Sequence, residues 1–160
     1  MGRPLTHHLT YDAPLVEVAA MLADPTFREA VCAYQRVSRS KVDIEVDGDT
    51  KTVVIEQVQR ARHIPSFASK FVGEEIEIVQ REDWTSPDAA DLHVTIPHKP
   101  GQVEGTIRLV ESGGTTTQTV DAQVTVHVPL VGGKIEGVIA DLLRKALDAE
   151  NAVGRDYLSG

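Results

Sequence analysis

The stretch VHVPLVGGKIEGVIADLLRKALDAE, Val126–Glu150, decides the fold because it joins a strand pattern to the longest apolar helix pattern of the chain. The alternation typical of a strand stops at Pro129, and the glycine pair Gly132 and Gly133 follows. Proline cannot donate a hydrogen bond to a strand ladder, and it is tolerated in the first turn of a helix. The pattern therefore predicts that Pro129 ends a strand and begins a helix.

The predicted C-terminal helix is amphipathic. Apolar side chains recur on one helix face, whereas charged and amide side chains occupy the opposite face. The apolar face consists of Ile135, Val138, Ile139, Leu142, Ala146, Ala149, Val153 and Tyr157. The strand that precedes the helix has its own apolar face, which includes Val124. We therefore expect a curved sheet and this helix to bury each other.

The residues between position 41 and the helix have the pattern of successive strands. Apolar and polar residues alternate in six runs, at residues 42–46, 51–59, 74–84, 91–97, 102–111 and 115–128. The connections are short and rich in Gly, Pro, Asp and Ser, which is typical of turns. One longer interruption runs from His63 to Ser66, and residues 66–71 could form a turn of helix. This organisation predicts an antiparallel meander.

The N-terminal part contributes one more strand and two short helices. Leu5–Tyr11 alternates like a half-buried strand, and two helical stretches follow, separated by Asp24–Pro25. The complete order is strand, two short helices, six strands and a long helix. Because no internal repeat, low-complexity tract or linker is visible, residues 1–160 are predicted to form a single domain.

This order resembles the helix-grip fold of the START and birch-pollen-allergen-like (SRPBCC) superfamily. More narrowly, VPLVGGKIE, the helix after it and the tail Glu150–Leu158 resemble an uncharacterised bacterial family of unknown function within that superfamily. The resemblance spans essentially the whole chain. It implies an α+β fold in which a seven-stranded curved antiparallel sheet wraps a long C-terminal helix and leaves a cavity between them. Members of the superfamily bind lipids, sterols, polyketides or hormones, and some catalyse cyclisation or dehydration, so the fold alone does not choose a function.

Composition narrows the possible partners and the compartment. The chain has 160 residues, of which 41% are hydrophobic, and its net charge is −8. This charge repels a phosphate backbone and an anionic membrane surface, so neither nucleic acid nor membrane insertion is expected. Cys32 is the only cysteine and cannot form an internal disulfide, which fits a reducing compartment. The N-terminus lacks the apolar core of a secretory signal, so we expect a cytoplasmic protein.

No pattern in the sequence indicates a metal or a cofactor. The six histidines are scattered and form neither an HExxH motif nor a paired His/Cys spacing. Neither a Gly-rich phosphate loop nor a Walker motif is present, and Gly101 and Gly105 fit turn or strand positions. The predicted site therefore contains no metal and no cofactor.

Polar residues on otherwise apolar strand faces are the candidate site residues, because burying an unpaired polar group costs about 1–3 kcal/mol. His7 lies between two leucines, whereas Gln80 and Glu82 share a strand face with two isoleucines and Trp84. If these faces border the cavity, they offer a histidine base, a carboxylic acid and an amide around an apolar ligand. His7 and Glu82 are then the candidate catalytic residues. Alternatively, these side chains pair with the backbone or are turned to solvent by a bulge.

Apolar residues of the same elements are predicted to contact the ligand or to fill the core. The segment from Phe67 to Phe71 interrupts the sheet and is a candidate lid. The predicted apolar ligand contacts are Phe67, Phe71, Trp84, Val124, Ile135, Ile139 and Leu142.

Three functions remain open at this point. The first is a carrier or sensor of a mostly apolar small molecule, such as a lipid, a sterol or a polyketide-like compound, held between sheet and helix. The second is an enzyme like the polyketide cyclases and dehydratases, in which His7 and Glu82 transfer protons in the same cavity. The third is a protein-interaction module that binds a protein partner and no ligand.

Overall fold

The chain forms seven strands and four helices within residues 2–61 and 64–160, the part that the computed structural model describes. The strands are β1 (Arg3–Tyr11), β2 (Arg39–Asp47), β3 (Thr50–Arg60), β4 (Glu75–Ser86), β5 (Ala89–Thr95), β6 (Gly101–Ser112) and β7 (Thr115–Val126). The helices are α1 (Leu15–Leu22), α2 (Pro25–Tyr34), α3 (Ser66–Val72) and α4 (Gly132–Ser159). None of these four helices has both the length and the hydropathy required to cross a membrane.

The strands form one antiparallel sheet in the order β1-β7-β6-β5-β4-β3-β2. Strands β2 to β7 pair with their neighbours in sequence, as expected for a meander, whereas β1 pairs with β7. The first strand of the chain thus lies beside the last, with Leu5 opposite Ala122. The predicted helix-grip fold, a seven-stranded curved antiparallel sheet around a long C-terminal helix, is confirmed.

Helix α4 packs on the inner face of the sheet and contributes to both clusters of the apolar interior. The larger cluster includes Ala140 and Leu147 of α4 together with side chains of α1, α2 and most strands. The smaller cluster surrounds the N-terminal part of α4 and consists of Ala68, Phe71, Ile76, Val126 and Ile135. Helix α3 contributes to this smaller cluster and lies where residues 66–71 were predicted to form a turn of helix. His63, where the longer interruption of the strand pattern was expected to begin, lies outside the described residues.

The prediction that Pro129 begins the long helix is wrong by three residues. Strand β7 ends at Val126, and α4 begins at Gly132. Between them, Leu130 has a φ of 70° and is fully exposed. This left-handed conformation cannot continue a right-handed helix, so the chain makes a separate turn before α4 starts.

The two glycines at the start of α4 differ in how closely other atoms approach them. A Cβ atom at Gly132 would lie 2.9 Å from the backbone oxygen of Val126, whereas a Cβ at Gly133 would have no atom within 4 Å. Close backbone packing therefore explains Gly132 but not Gly133.

We expect Gly133→Ala to raise the free energy of unfolding by about 0.5–1 kcal/mol, because alanine loses less entropy than glycine in a helix. Gly132→Ala should lower the free energy of unfolding, because the new methyl group meets a backbone oxygen that cannot easily move. Urea denaturation of the two single variants measures both effects. Equal effects of the two substitutions would contradict this assignment.

Candidate ligand-binding site

A cavity of about 340 Å³ lies between the inner face of the sheet and α4. The apolar part of its sheet side comes from Ile76, Ile78, Val94 and Val103, together with Ile96 just after β5. The lining from α4 consists mainly of Ile135, Val138, Ile139, Leu142, Ala146 and Ala149. Protein interiors rarely leave voids much larger than a water molecule, whereas ligand sites usually enclose about 300–1,000 Å³. The volume therefore has the size of a small ligand site.

Glutamine is the main polar residue of the cavity wall. The lining glutamines are Gln35, Gln57, Gln59, Gln80 and Gln102. The Nε2 of Gln59 donates to the Oε1 of Gln57 at 2.9 Å, and the Nε2 of Gln80 donates to Glu82 at 2.6 Å. These amides are uncharged hydrogen-bonding groups, and the one charged side chain among the described lining residues is the exposed Lys145. The wall therefore suits a mostly apolar molecule whose buried part is uncharged.

The structure brings part of the predicted set of site residues to this cavity. The predicted residues that line it are Gln80, Ile135, Ile139 and Leu142. The three from α4 follow one another at helical spacing on the face that the apolar pattern defined. Gln80 comes from β4, where alternation directs it to the same side as Ile76 and Ile78.

The other predicted apolar contacts lie away from the cavity wall. Trp84 and Val124 are buried in the larger apolar cluster. In α3, the inward face consists of Ala68 and Phe71, which are three residues apart, and only Ala68 lines the cavity. Phe67 lies outside this face and is 37% exposed. The segment thus covers one end of the interior through Ala68 and Phe71 rather than through two phenylalanines.

His7 is placed away from both the cavity and Glu82. Its two leucine neighbours, Leu5 and Leu9, are buried as the alternation predicts, but α4 covers this part of β1 directly. The Nε2 of His7 is 2.8 Å from the Oδ1 of Asp148 on α4. The predicted pairing of His7 with Glu82 in one site is therefore wrong, because facing inward on β1 does not mean bordering the cavity.

A second, smaller space of about 30 Å³ adjoins the cavity, and we call it the polar chamber. The cavity and the polar chamber share five lining residues, which are Gln35, Gln57, Gln80, Leu143 and Ala146. The polar chamber is distinguished by the buried polar side chains in its wall, which are Arg28, Glu82, Gln118 and Glu150. The apolar cavity thus has a polar inner end.

Arg28 of α2 holds this polar wall together. Its guanidinium binds Glu82 with two hydrogen bonds, of 2.8 and 3.1 Å, and lies 3.3 Å from the Oε1 of Glu150. Glu82 also accepts hydrogen bonds from Gln80 at 2.6 Å and from the indole of Trp84 at 3.0 Å. The two carboxylates come from opposite layers, β4 and α4, so the cluster ties the sheet, α2 and α4 to one another.

Burial and charge act differently on the two carboxyl groups. Burial tends to raise the pKa of Glu82, but the charge of Arg28 and the hydrogen bonds from Arg28, Trp84 and Gln80 outweigh it and hold that pKa below its usual range. Burial also raises the pKa of Glu150, which is less well compensated by Arg28 and is further raised by the charge of Glu82. Burial lowers the pKa of Lys51, near the same cluster, to about 8, and the charge of Arg28 adds to this effect.

Sequence reasoning missed Arg28, Gln118 and Glu150. The sequence did indicate that Arg28 is buried, because it lies three and four residues before the apolar Val31 and Cys32 on the same face of a helix. Glu150 likewise follows Leu143 and Leu147 of α4, at positions seven and three residues before it, in an apolar row. A charged residue within an apolar row thus indicated a buried ion pair. Within residues 2–61 and 64–160, no group of three or more His, Cys, Asp and Glu side chains is arranged to hold a metal ion.

Comparison with solved structures shows the same fold at low sequence identity. Ara h 8.0201 has a TM-score of 0.67 at 11% identity, with 100% of each chain covered. A START superfamily protein from Mycobacterium smegmatis has a TM-score of 0.64 at 11% identity, with 96% of this chain and 98% of that chain covered. The di-domain ARO/CYC StfQ from the steffimycin biosynthetic pathway has a TM-score of 0.64 at 9% identity, with 98% of this chain and 50% of that chain covered.

Comparison of the sequence with curated proteins and with protein-family models gives one match, to a family model. No curated protein matches the chain. The model of the family described as "Protein of unknown function (DUF2505)" matches residues 6–158, and the chain therefore belongs to this family.

Proposed function

We propose that the protein binds a mostly apolar small molecule of lipid, sterol or polyketide-like character in the cavity, and acts as its carrier or sensor. The observation that carries this proposal is the cavity of about 340 Å³ between sheet and α4, with its apolar lining. Removing apolar ligand surface from water supplies roughly 25 cal/mol per Å² and requires no particular chemistry in the wall. The glutamine amides of the wall then orient the few polar groups of the ligand.

The geometry favours binding over the alternative of a cyclase-like enzyme. Glu82 accepts four hydrogen bonds from Arg28, Gln80 and Trp84 and is only 1% exposed. Its carboxylate is therefore held as a structural anion rather than kept available for proton transfer. His7, the other candidate, is hydrogen-bonded to Asp148 outside the cavity.

The proposal is tested by filling the cavity from α4. Ala149 lines the cavity, whereas Ala152, three residues later, is exposed. We expect wild-type protein to bind the neutral apolar dye N-phenylnaphthylamine with an increase in dye fluorescence. Ala149→Trp should weaken dye binding at least tenfold, because the indole occupies the space of the dye.

Ala152→Trp is the matched control and should bind the dye as wild type does. Circular dichroism of both variants establishes that they are folded. Native mass spectrometry of protein isolated from its own cells provides an independent measurement, in which a retained small molecule is expected. The proposal fails if the wild type does not bind the dye, or if Ala149→Trp and Ala152→Trp bind it equally.

A further inference from the structure

One buried hydrogen-bond acceptor at the inner end of the cavity has no partner. Gln118 of β7 is 2% exposed, and its Nε2 donates to the Oε2 of Glu150 at 2.9 Å. Within the described part of the chain, the Oε1 of Gln118 is the buried side-chain atom that accepts no hydrogen bond. Native proteins pair the large majority of such buried atoms. The unused acceptor therefore indicates that another molecule supplies a donor.

The space beside Gln118 is suited to a single small group. Gln118 lines the polar chamber of about 30 Å³, which is large enough for one water or one hydroxyl group. The polar chamber and the cavity share Gln57, Gln80 and Ala146 in their walls, so the end of a ligand in the cavity lies next to the polar chamber.

The charges around the polar chamber decide which kind of end group fits. Four of the five N–H groups of Arg28 are used, because Nε donates to the backbone oxygen of Leu22 at 3.0 Å, Nη1 donates to both carboxylates and Nη2 donates to Glu82. The two carboxylates therefore already offset the single positive charge of Arg28. Arg28 is also the one cationic side chain among the described residues that line the polar chamber. A carboxylate or phosphate end would thus meet Glu82 and Glu150 with no free cation to pair with. A neutral end group with a hydrogen-bond donor, in contrast, can donate to the unpaired Oε1 of Gln118.

We propose that the polar chamber binds the hydroxyl group of the ligand, which donates to the Oε1 of Gln118 while the apolar body of the ligand fills the cavity. The ligand class is therefore an amphiphile whose end in the polar chamber is a neutral alcohol or phenol. This inference rests on the proposed function, since it assigns the orientation and the end group of the molecule in the same cavity.

Two isomeric probes test the inference directly. Decanol and methyl nonyl ether have the same atoms, but only the alcohol has a hydrogen-bond donor. We expect decanol to displace N-phenylnaphthylamine from the wild type about tenfold more effectively than the ether, the effect of one hydrogen bond to a buried acceptor. Binding by apolar burial alone would instead favour the ether, which is less strongly hydrated.

Variants locate the effect at Gln118. Gln118→Leu should abolish the preference for decanol while leaving the affinity for the ether within about twofold, because the donor then has no acceptor. Gln123→Leu is the control, since Gln123 lies on the same strand as Gln118 but is exposed and lines neither the cavity nor the polar chamber, and it should keep the preference. If Gln118→Leu does not fold, Gln118→Met serves the same comparison.

The outcomes separate this inference from the proposed function. If neither the dye nor either probe binds, the proposed function itself fails. If the dye binds but the wild type does not distinguish decanol from the ether, or if Gln118→Leu keeps the preference, the hydroxyl site is wrong. In that case a buried water satisfies Gln118 whether or not ligand is present.

Discussion

Replacement of Arg28 by methionine is expected to lower the free energy of unfolding at pH 7 by about 3–5 kcal/mol, the usual cost of removing one partner from a buried ion pair. Arg28 is 2% exposed and binds Glu82 and Glu150 at once. Methionine fills much of the same volume, so the loss arises from two buried carboxyl groups that no longer have a cation. Urea denaturation of wild type and variant measures the difference.

The effect of Arg28→Met should depend on pH in a defined direction. In the wild type, the lowered pKa of Glu82 contributes stability that is present above its unfolded pKa of about 4.3 and is lost as the pH falls through the folded value. Without Arg28, burial raises the folded pKa of Glu82, and its contribution reverses sign. The variant should therefore be most destabilised near pH 7 and less so near pH 4, where its carboxyl groups can be protonated.

Arg81 provides the control for charge removal. It pairs with Asp83 on the outer face of β4, at 2.9 Å, but both side chains are largely exposed. Arg81→Met should change stability little, because exposed ion pairs are screened by water. If Arg28→Met and Arg81→Met had similar effects, the buried cluster would not tie the layers together as inferred.

The second large effect is expected at Gly105 of β6, where alanine should lower the free energy of unfolding by about 3 kcal/mol through overpacking. A Cβ atom there would lie 2.5 Å from the Cα of Ala122 on β7 and would also collide with the backbone oxygen of Asp121. These are backbone atoms of the neighbouring strand, so relief requires the two strands to move apart. The close approach accompanies the curvature that lets the sheet wrap α4.

Gly101, on the same strand, is the matched control for Gly105. A Cβ at Gly101 would lie 3.3 Å from side-chain atoms of Phe71 and Val126, which can shift slightly. Gly101→Ala should therefore cost less than about 1 kcal/mol. Thermal denaturation of the two alanine variants decides the question, and equal losses would show that the approach at Gly105 is not unusually close.

Most of the fold was predictable because it depends on local patterns. The alternation from Leu5 to Tyr11 and in the later strands identifies inward-facing residues without knowledge of their neighbours, and the apolar row of α4 does the same for the helix. The start of α4 was misplaced because the left-handed conformation of Leu130 has no marker in its side chain. Local patterns thus located the elements more reliably than the turns between them.

The candidate site was less predictable, since an inward-facing residue can border a void or a packed core. Trp84 and Gln80 lie on the same side of β4, yet the first is packed in the larger cluster and the second lines the cavity. His7 also faces inward, but α4 covers it with Asp148. Their different surroundings follow from the distance between sheet and α4 at each point, which no local pattern encodes.

The sequence by itself determined the order of the elements, the inner face of each strand and the apolar side of α4, because these depend on side-chain periods of two and of 3.6 residues. Only the tertiary structure decided that Arg28, Glu82, Gln118 and Glu150 meet at one point. They come from four different elements, and their contacts exist only because the curved sheet brings β4 and β7 against α2 and α4. Pairing of this kind is a property of three-dimensional distance, and the unused acceptor on Gln118 becomes visible only once those distances are known.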